Sequence, residues 1–400
     1  MLWIALNFPC LPLEACQQAS AQSEPWAVAD GPRVAVCNLP ARNQGICAGM
    51  SLSAACALAP KLGYRQRDPK AETAALGQLA AWACQFTPCV ALRAPFGLLL
   101  EIEGSLKLLG GIRRILETVK RETADMGYTL MLGCAPTATA AWLLARGGGK
   151  RVVSCQHTIA SEISPLPVAV LDCSAQVLET LSAVGVRTIA EFLQLPRAGA
   201  ARRFGQGLLD QLDRALGKLP EAHRFYSPPP HFNAALELGV VVASAEALLF
   251  AARRLTTQLA GYLAGRCGAI QRFTFALAHE DIPETVLQIE LVTPTREAGR
   301  FITLLRDRLA AIALAAPVCR MRIEADEILA LAGDTRNLFQ DPAGNPGDWS
   351  NLIDRLRARL GADAVHGLSP RAEHRPELAW RTAVPGAQPD ECARASRPLW

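Results

Sequence analysis

The acidic residues of this 400-residue chain are badly placed for holding a metal. A site that transfers a phosphoryl group with two divalent ions clamps them between carboxylates on neighbouring strands, and magnesium requires such oxygen ligands. The opening apolar run Met1–Phe8 reads as a buried strand and contains no carboxylate. It offers Ala5 and Asn7, and the first acid is Glu14, beyond Pro9 and Pro12. A second run, Leu98–Glu103, carries Glu101 and Glu103. Glu101 alternates with Leu100 and Ile102, so it is expected to face away from the apolar side of its strand. Two acids on one strand, with no third from Met1–Phe8, make a poor clamp. The 13 cysteines are scattered and form no CxxC pair; Cys84 and Cys89 lie closest, with no histidine near. No zinc site is expected, and reduced thiols in a cytoplasm are the simplest reading. A different chemistry is offered by Gly185-Val186-Arg187-Thr188. A tight turn there would aim backbone N–H groups and a helix N-terminus at a phosphate, with Arg187, Arg202 and Arg203 supplying charge.

Half the residues are hydrophobic and 20% are charged, ordinary for a globular protein large enough for several domains. The formal charge of +4 permits a polyanionic partner without arguing for one. The apolar start lacks a basic leader and a cleavage site, so no signal peptide is expected. The most apolar stretch, Leu130–Leu144, is broken by Pro136 and threonines, so no membrane span is expected.

Three regions must position these groups. Residues 1–165 read as α/β, with strands over Leu2–Phe8, Arg33–Val36, Cys89–Leu92, Leu98–Glu103 and Tyr128–Cys134. Helices fit Ser51–Leu58, Ala71–Gln85, Leu108–Met126 and Thr137–Arg146. Residues 166–220 fit three short helices, Ser174–Ala183, Ile189–Gln194 and Gly207–Gly217. Residues 221–230 end in the stiff linker Tyr226-Ser227-Pro228-Pro229-Pro230. Residues 231–330 show a β-α-β-β-α-β order, with strands Ala234–Val242, Ile270–Ala278, Thr285–Leu291 and Val318–Glu324. The helices between them are Glu246–Ala264 and Arg296–Ile312. Residues 331–400 hold one helix, Trp349–Leu360, and a proline-rich extended tail. The predicted class is α/β plus α+β, multidomain.

In this order the regions resemble the palm with inserted fingers (about residues 15–65 for the fingers), thumb, linker and little finger of Y-family translesion DNA polymerases. Ala41-Arg42-Asn43-Gln44-Gly45-Ile46-Cys47-Ala48-Gly49-Met50-Ser51 resembles the fingers signature. Leu181-Ser182-Ala183-Val184-Gly185-Val186-Arg187-Thr188 resembles the thumb helix-hairpin-helix. A narrower likeness is to the polymerase-like accessory proteins of the ImuB type. It is carried by Ala83-Cys84-Gln85-Phe86-Thr87-Pro88, Gly97-Leu98-Leu99-Leu100-Glu101-Ile102-Glu103-Gly104-Ser105, Ala135-Pro136-Thr137 with Ala141-Trp142-Leu143-Leu144-Ala145-Arg146, and His374-Arg375-Pro376-Glu377-Leu378-Ala379-Trp380-Arg381. Members of that type continue past Arg397-Pro398-Leu399-Trp400, so the resemblance implies a shortened end.

The resemblance places Ala5, Phe96 and Gly97 at the three metal-ligand positions of active relatives. None of the three side chains binds a metal, so it implies no catalytic residue, no metal and no cofactor. Arg42 matches a residue that touches triphosphate, while Leu39 stands where a tyrosine is usual. DNA contacts are expected from Gly185, Arg187, Thr188, Arg202 and Arg203. Residues 231–330 hold ten arginines, no lysine and eleven acids, so little net field comes from there, although Arg253, Arg254, Arg266, Arg272, Arg320 and Arg322 could still line one face. Thr335-Arg336-Asn337-Leu338-Phe339 resembles a sliding-clamp peptide that ends in Leu-Phe, and Leu399-Trp400 is the runner-up. The implied role is a non-catalytic, cytoplasmic, nucleoid-associated adaptor in the DNA-damage response. It would bring damaged or primed DNA together with the sliding clamp, an error-prone replicative-type polymerase and an ImuA-type RecA-like protein. The alternatives are an active translesion polymerase with unorthodox ligands, and a DNA-binding module without partners.

Overall fold

The computed structural model describes residues 1–15, 24–148, 152–153, 155–330, 346–371, 373, 375–383 and 385. They fall into two compact units, Met1–Pro229 and Pro230–Trp400.

The first unit opens with β1 (Trp3–Asn7) and α1 (Leu11–Glu14). It continues through β2 (Trp26–Asp30), β3 (Arg33–Cys37), α2 (Leu39–Asn43), α3 (Leu52–Leu58) and β4 (Gly63–Gln66). Next come α4 (Pro69–Ala83), β5 (Val90–Arg93), β6 (Gly97–Glu101), α5 (Ile112–Asp125), β7 (Met131–Ala135) and α6 (Ala138–Arg146). The larger sheet has the order β5-β6-β1-β7, with β1 at its centre and Ala5 opposite both Leu99 and Gly133. All five residues of β1 are buried. Ile4 and Leu6 join the core built by Leu76, Leu79 and Trp82 of α4 and Ile115 and Val119 of α5. Trp3 and Ala5 point the other way, into a core with Trp142 and Leu143 of α6. With both faces covered, such a strand reads as an unbroken apolar run. Helix α4 starts at Pro69, because Asp68 accepts from the N–H groups of Lys70 and Ala71 and a proline is well tolerated at the first helical position. A smaller sheet, β3-β2-β4, pairs β2 antiparallel with β3 and parallel with β4.

Five short helices complete this unit: α7 (Ile159–Ile163), α8 (Ala175–Ala183), α9 (Ile189–Leu193), α10 (Arg197–Phe204) and α11 (Gln206–Ala215). Helix α10 was not expected. Its sequence is poor in apolar residues, and Pro196 and Gly205 look like breakers. In the fold they bound the helix: Pro196 is its N-cap and Gly205, at φ +92°, separates it from α11.

The second unit has the expected β-α-β-β-α-β order: β8 (Phe232–Val242), α12 (Ala245–Gly265), β9 (Gly268–His279), β10 (Thr285–Thr295), α13 (Ala298–Ala310) and β11 (Val318–Ala325). The sheet order is β10-β9-β11-β8, and the two-residue β12 (Leu329–Ala330) pairs with the start of β9. Phe273 and Phe301, both fully buried, meet edge to face with centroids 5.3 Å apart. Helix α14 (Pro346–Leu360) is held by Asp354, which accepts from the Val292 N–H at 2.7 Å and from Arg300 at 2.6 Å. Beyond it, β13 (Gly367–Pro370) and β14 (Trp380–Ala383) pair antiparallel, so this part of the expected extended tail is a two-stranded ribbon. The predicted α/β plus α+β multidomain class is borne out. Among the described residues no helix is long and apolar enough to cross a membrane.

Candidate functional site

The β1–β6–α6 face of the first unit holds the positions where a metal would be expected. Ala5 is fully buried. Gly97 is paired with Asn7, and its missing side chain is explained by Trp142. A Cβ built on Gly97 would lie 2.3 and 2.5 Å from Cζ3 and Cη2 of the indole. A glycine inside a strand often marks such a close approach. Phe96 is half-buried, with the Arg67 guanidinium 5.3 Å from its ring centroid.

Trp142 is 6% exposed, and among the described residues its indole N–H has no partner. Arg93 lies 5.9 Å from the ring centroid. Arg93 and Arg146 both ion-pair with Asp172, Arg146 at 2.5 Å. Gln211 donates to the same carboxylate at 3.1 Å and accepts the Asp172 N–H at 3.0 Å. Trp142, Arg93, Arg146 and Asp172 line a cavity of about 480 Å³ together with Asn7 and Phe96. Two guanidiniums against one carboxylate leave a positive excess, which repels a divalent cation. Among the described residues no group of three or more His, Cys, Asp or Glu could hold a metal.

Glu101 departs from expectation. Its register partner is Trp3, so it shares the face of Leu99 and Ala5, which is as apolar as the other face. It remains half-buried at the strand end, accepting the Glu103 N–H at 3.1 Å. Glu103 lies beyond the strand and ion-pairs with the N-terminal amine of Met1.

Arg42, in the last turn of α2, reaches back toward the segment after β1, its guanidinium 4.0 Å from Cys10 Sγ. Burial and the Glu14 charge push the Cys10 thiol up, and Arg42 only partly offsets them. Leu39 is 68% exposed.

The helical hairpin corrects a second expectation. Gly185 takes φ +81° in the turn between α8 and α9, a conformation that favours glycine. The backbone N–H groups that were to meet a phosphate are already occupied. Gly185 donates to Ser182 O, Val186 to Leu181 O, Ile189 to Leu166 O and Ala190 to Ser164 O. The N–H groups of Arg187 and Thr188 donate to the Glu191 carboxylate at 2.6 and 3.0 Å, and Thr188 Oγ1 accepts from the Glu191 N–H at 3.3 Å, closing a capping box. These two backbone bonds hold the Glu191 carboxyl below the usual carboxylate range. A phosphate would have to displace a carboxylate, so only the side chains of Arg187, Arg202 and Arg203 remain available to an anion. Arg202 and Arg203 are exposed in the last turn of α10, Arg203 leaning toward the Phe204 ring at 5.8 Å.

In the second unit the six arginines do not share a face. Arg253, Arg254 and Arg266 lie on or just after α12, and Arg254 is buried. Arg272, Arg320 and Arg322 lie on the sheet, each paired with a glutamate. Leu338, Phe339, Leu399 and Trp400 lie outside the described residues.

Sequence reasoning missed Trp142, Arg93, Arg146 and Asp172. The one signal for them was Gly97 inside an otherwise apolar strand.

Residues 10–146 match the impB/mucB/samB family. With the fold just described, this makes the chain similar to Y-family-polymerase-like proteins over those residues. It is similar to Protein ImuB of Caulobacter vibrioides, in two strains, at 29% identity over 334 residues, covering 83% of this chain and 73% of the relative. The resemblance to Y-family-polymerase-like proteins of the ImuB type is thereby borne out. Solved structures similar to the chain include DinB from Sulfolobus solfataricus, at 17% identity and TM-score 0.47, and an insertion ternary complex of Dbh DNA polymerase, at 16% and 0.47. Each alignment covers 82% of this chain and 99% of the other.

Proposed function

We propose that this chain is a non-catalytic adaptor in damage-induced translesion DNA synthesis and mutagenesis, as part of an SOS-type response at the nucleoid. The observation that carries the non-catalytic half is the packing of Trp142 on Gly97. A carboxylate has no room there, Ala5 supplies none, and the adjoining cavity is lined by the Arg93–Asp172–Arg146 cluster. Phosphoryl transfer depends on metal and phosphate clamps aimed at the developing charge, and this face has exchanged them for a ring and two guanidiniums.

The likeness to Protein ImuB and to the impB/mucB/samB family supports the other half. In this reading the chain holds damaged or primed DNA through Arg187, Arg202 and Arg203. It engages the sliding clamp through Leu338 and Phe339, and it brings in an error-prone replicative-type polymerase and an ImuA-type RecA-like protein. Phosphate contacts from arginine side chains fix position and carry no sequence preference.

The test is reconstitution of binding from purified proteins on primed DNA. Clamp retention that disappears in the Leu338→Ala, Phe339→Ala double variant, with the melting temperature unchanged, is the expected result. Retention that survives it but is lost on deleting residues 396–400 moves the contact to Leu399 and Trp400. No retention of clamp, polymerase or RecA-like protein by the intact chain contradicts the adaptor role.

A further inference from the structure

We infer that the second unit holds a small phosphate-type oxyanion between α13, α14 and the edge strand β10. A cavity of about 210 Å³ lies there, lined on its polar side by Gln288, Glu290, Arg308, Asp354 and Arg357. It is smaller than the roughly 300–1,000 Å³ that whole organic ligands occupy, so it suits a compact ion. Two of its guanidiniums are incompletely satisfied. The Nε atoms of Arg308 and Arg357 are both buried, and among the described residues neither has a hydrogen-bond partner. Arg308 is half-buried and makes no ion pair among the described residues. Arg357, 12% exposed, reaches a single carboxylate, Glu290, at 3.4 Å through Nη2. Buried N–H groups almost always find an acceptor, and one on a charged fork is costly to leave without.

The acids around the cavity do not answer these donors. Asp354 is 1% exposed and already committed, accepting from the Val292 N–H at 2.7 Å and from Arg300 at 2.6 Å. Asp307, beside Arg308 on α13, is taken by Arg355 at 3.0 Å and Arg359 at 2.8 Å. Glu290 is about half exposed and ion-pairs with Arg357 alone. Together α13, α14 and β10 carry six arginines and four acids. The surplus is cationic, and Arg308 brings it to the cavity wall. Water satisfies an N–H donor but leaves that charge uncompensated. An arginine fork matches the oxygens of a carboxylate or a phosphate. A carboxylate already stands at the rim, in Glu290, and leaves both Nε–H groups unanswered. A tetrahedral dianion has oxygens enough to receive Arg308 and Arg357 at once. Bound there, it ties α13 to α14 and adds a second clip to the one that Asp354 makes.

The experiment follows the arginine Nε–H signals of the nitrogen-labelled full chain by NMR. The probe is inorganic phosphate, added at constant ionic strength, with acetate and a duplex oligonucleotide as comparisons. The expected result is a saturable shift of the Arg308 and Arg357 signals with phosphate and not with acetate, together with slower amide exchange in α14. Arg308→Gln breaks no ion pair within the described residues, and should weaken phosphate binding roughly tenfold or more with the melting temperature nearly unchanged. Arg308→Lys keeps the charge and loses the fork, so its affinity should fall between the two. If the glutamine variant fails to fold, the lysine variant, read on the Arg357 signal, should show the smaller loss in the same direction. Arg306→Gln, at an exposed position of α13, should change nothing. The inference is overturned if phosphate shifts neither signal, if acetate matches it, or if the Arg308 variants bind as well as the parent. It is equally overturned if only the duplex moves these signals, since the cavity would then serve a nucleic-acid backbone and not a free ion. None of these outcomes alters the clamp and primer assays, so failure here is distinct from failure of the adaptor reading.

Discussion

Gly97→Ala isolates the contact on which the non-catalytic reading turns. The added methyl would sit 2.3 Å from Cζ3 of Trp142, where carbon atoms ordinarily rest at about 3.5 Å. The ring must retreat by about 1.2 Å, yet Trp142 is 6% exposed and packed among Leu143, Leu99 and Ala5. Overpacking of this kind costs roughly 1–3 kcal/mol. Trp142→Ala alone should cost roughly 3–5 kcal/mol by leaving a cavity. In that background the alanine at position 97 has no ring to meet, so its own cost should fall to nearly nothing. The double-mutant cycle then returns a coupling of roughly 1–3 kcal/mol. The assay is denaturant unfolding, with amide exchange of β6 and α6 to follow the first unit by itself, because two units need not unfold together. Strictly additive costs, or a neutral Gly97→Ala, would show that the ring does not fill this position. The argument that a carboxylate has no room would then fail.

Two further outcomes are expected. Burial pushes the Asp307 carboxyl up, but Arg355 at 3.0 Å and Arg359 at 2.8 Å outweigh it and hold it below its ordinary value. A lowered folded value stabilises the docking of α14 above the unfolded carboxylate range, and that stability drains away as pH falls through the lowered value. Amide exchange of α14 should therefore quicken below roughly pH 4, and Asp307→Asn should remove that acid-dependent step. Arg187→Ala, or Arg202→Ala with Arg203→Ala, should weaken DNA binding equally for all sequences and reduce the salt slope by about one unit for each phosphate left without its arginine. An unchanged slope in both variants would take this region out of DNA binding.

The elements were largely legible in the sequence, because apolar spacing and breakers report local structure directly. Helices α4 and α6 and the β-α-β-β-α-β order fall close to where the pattern puts them. Local chemistry misled where a neighbour in the sequence had two possible roles. Pro196 and Gly205 looked like gaps and are the ends of α10. The hairpin's N–H donors looked free for a phosphate, and Glu191 occupies those of Arg187 and Thr188. Trp142 could not be placed from sequence alone, because Ala138–Arg146 is apolar nearly all round. Only the long-range register of β1 and β6 decides which ring lies over Gly97. The pairing of Arg272, Arg320 and Arg322 with glutamates depends likewise on cross-strand register, and a count of charges cannot supply it.

The central claim is that this polymerase-like fold does not polymerise. The most direct test is template-dependent primer extension by the purified full chain, with Mg²⁺ and then Mn²⁺, over matched and lesion-bearing templates. The account predicts no incorporation above a blank prepared in parallel from cells lacking the chain, and none in Ala5→Asp, since one carboxylate cannot hold two metals. Incorporation that follows the protein through further purification and is lost in Glu101→Gln would contradict it.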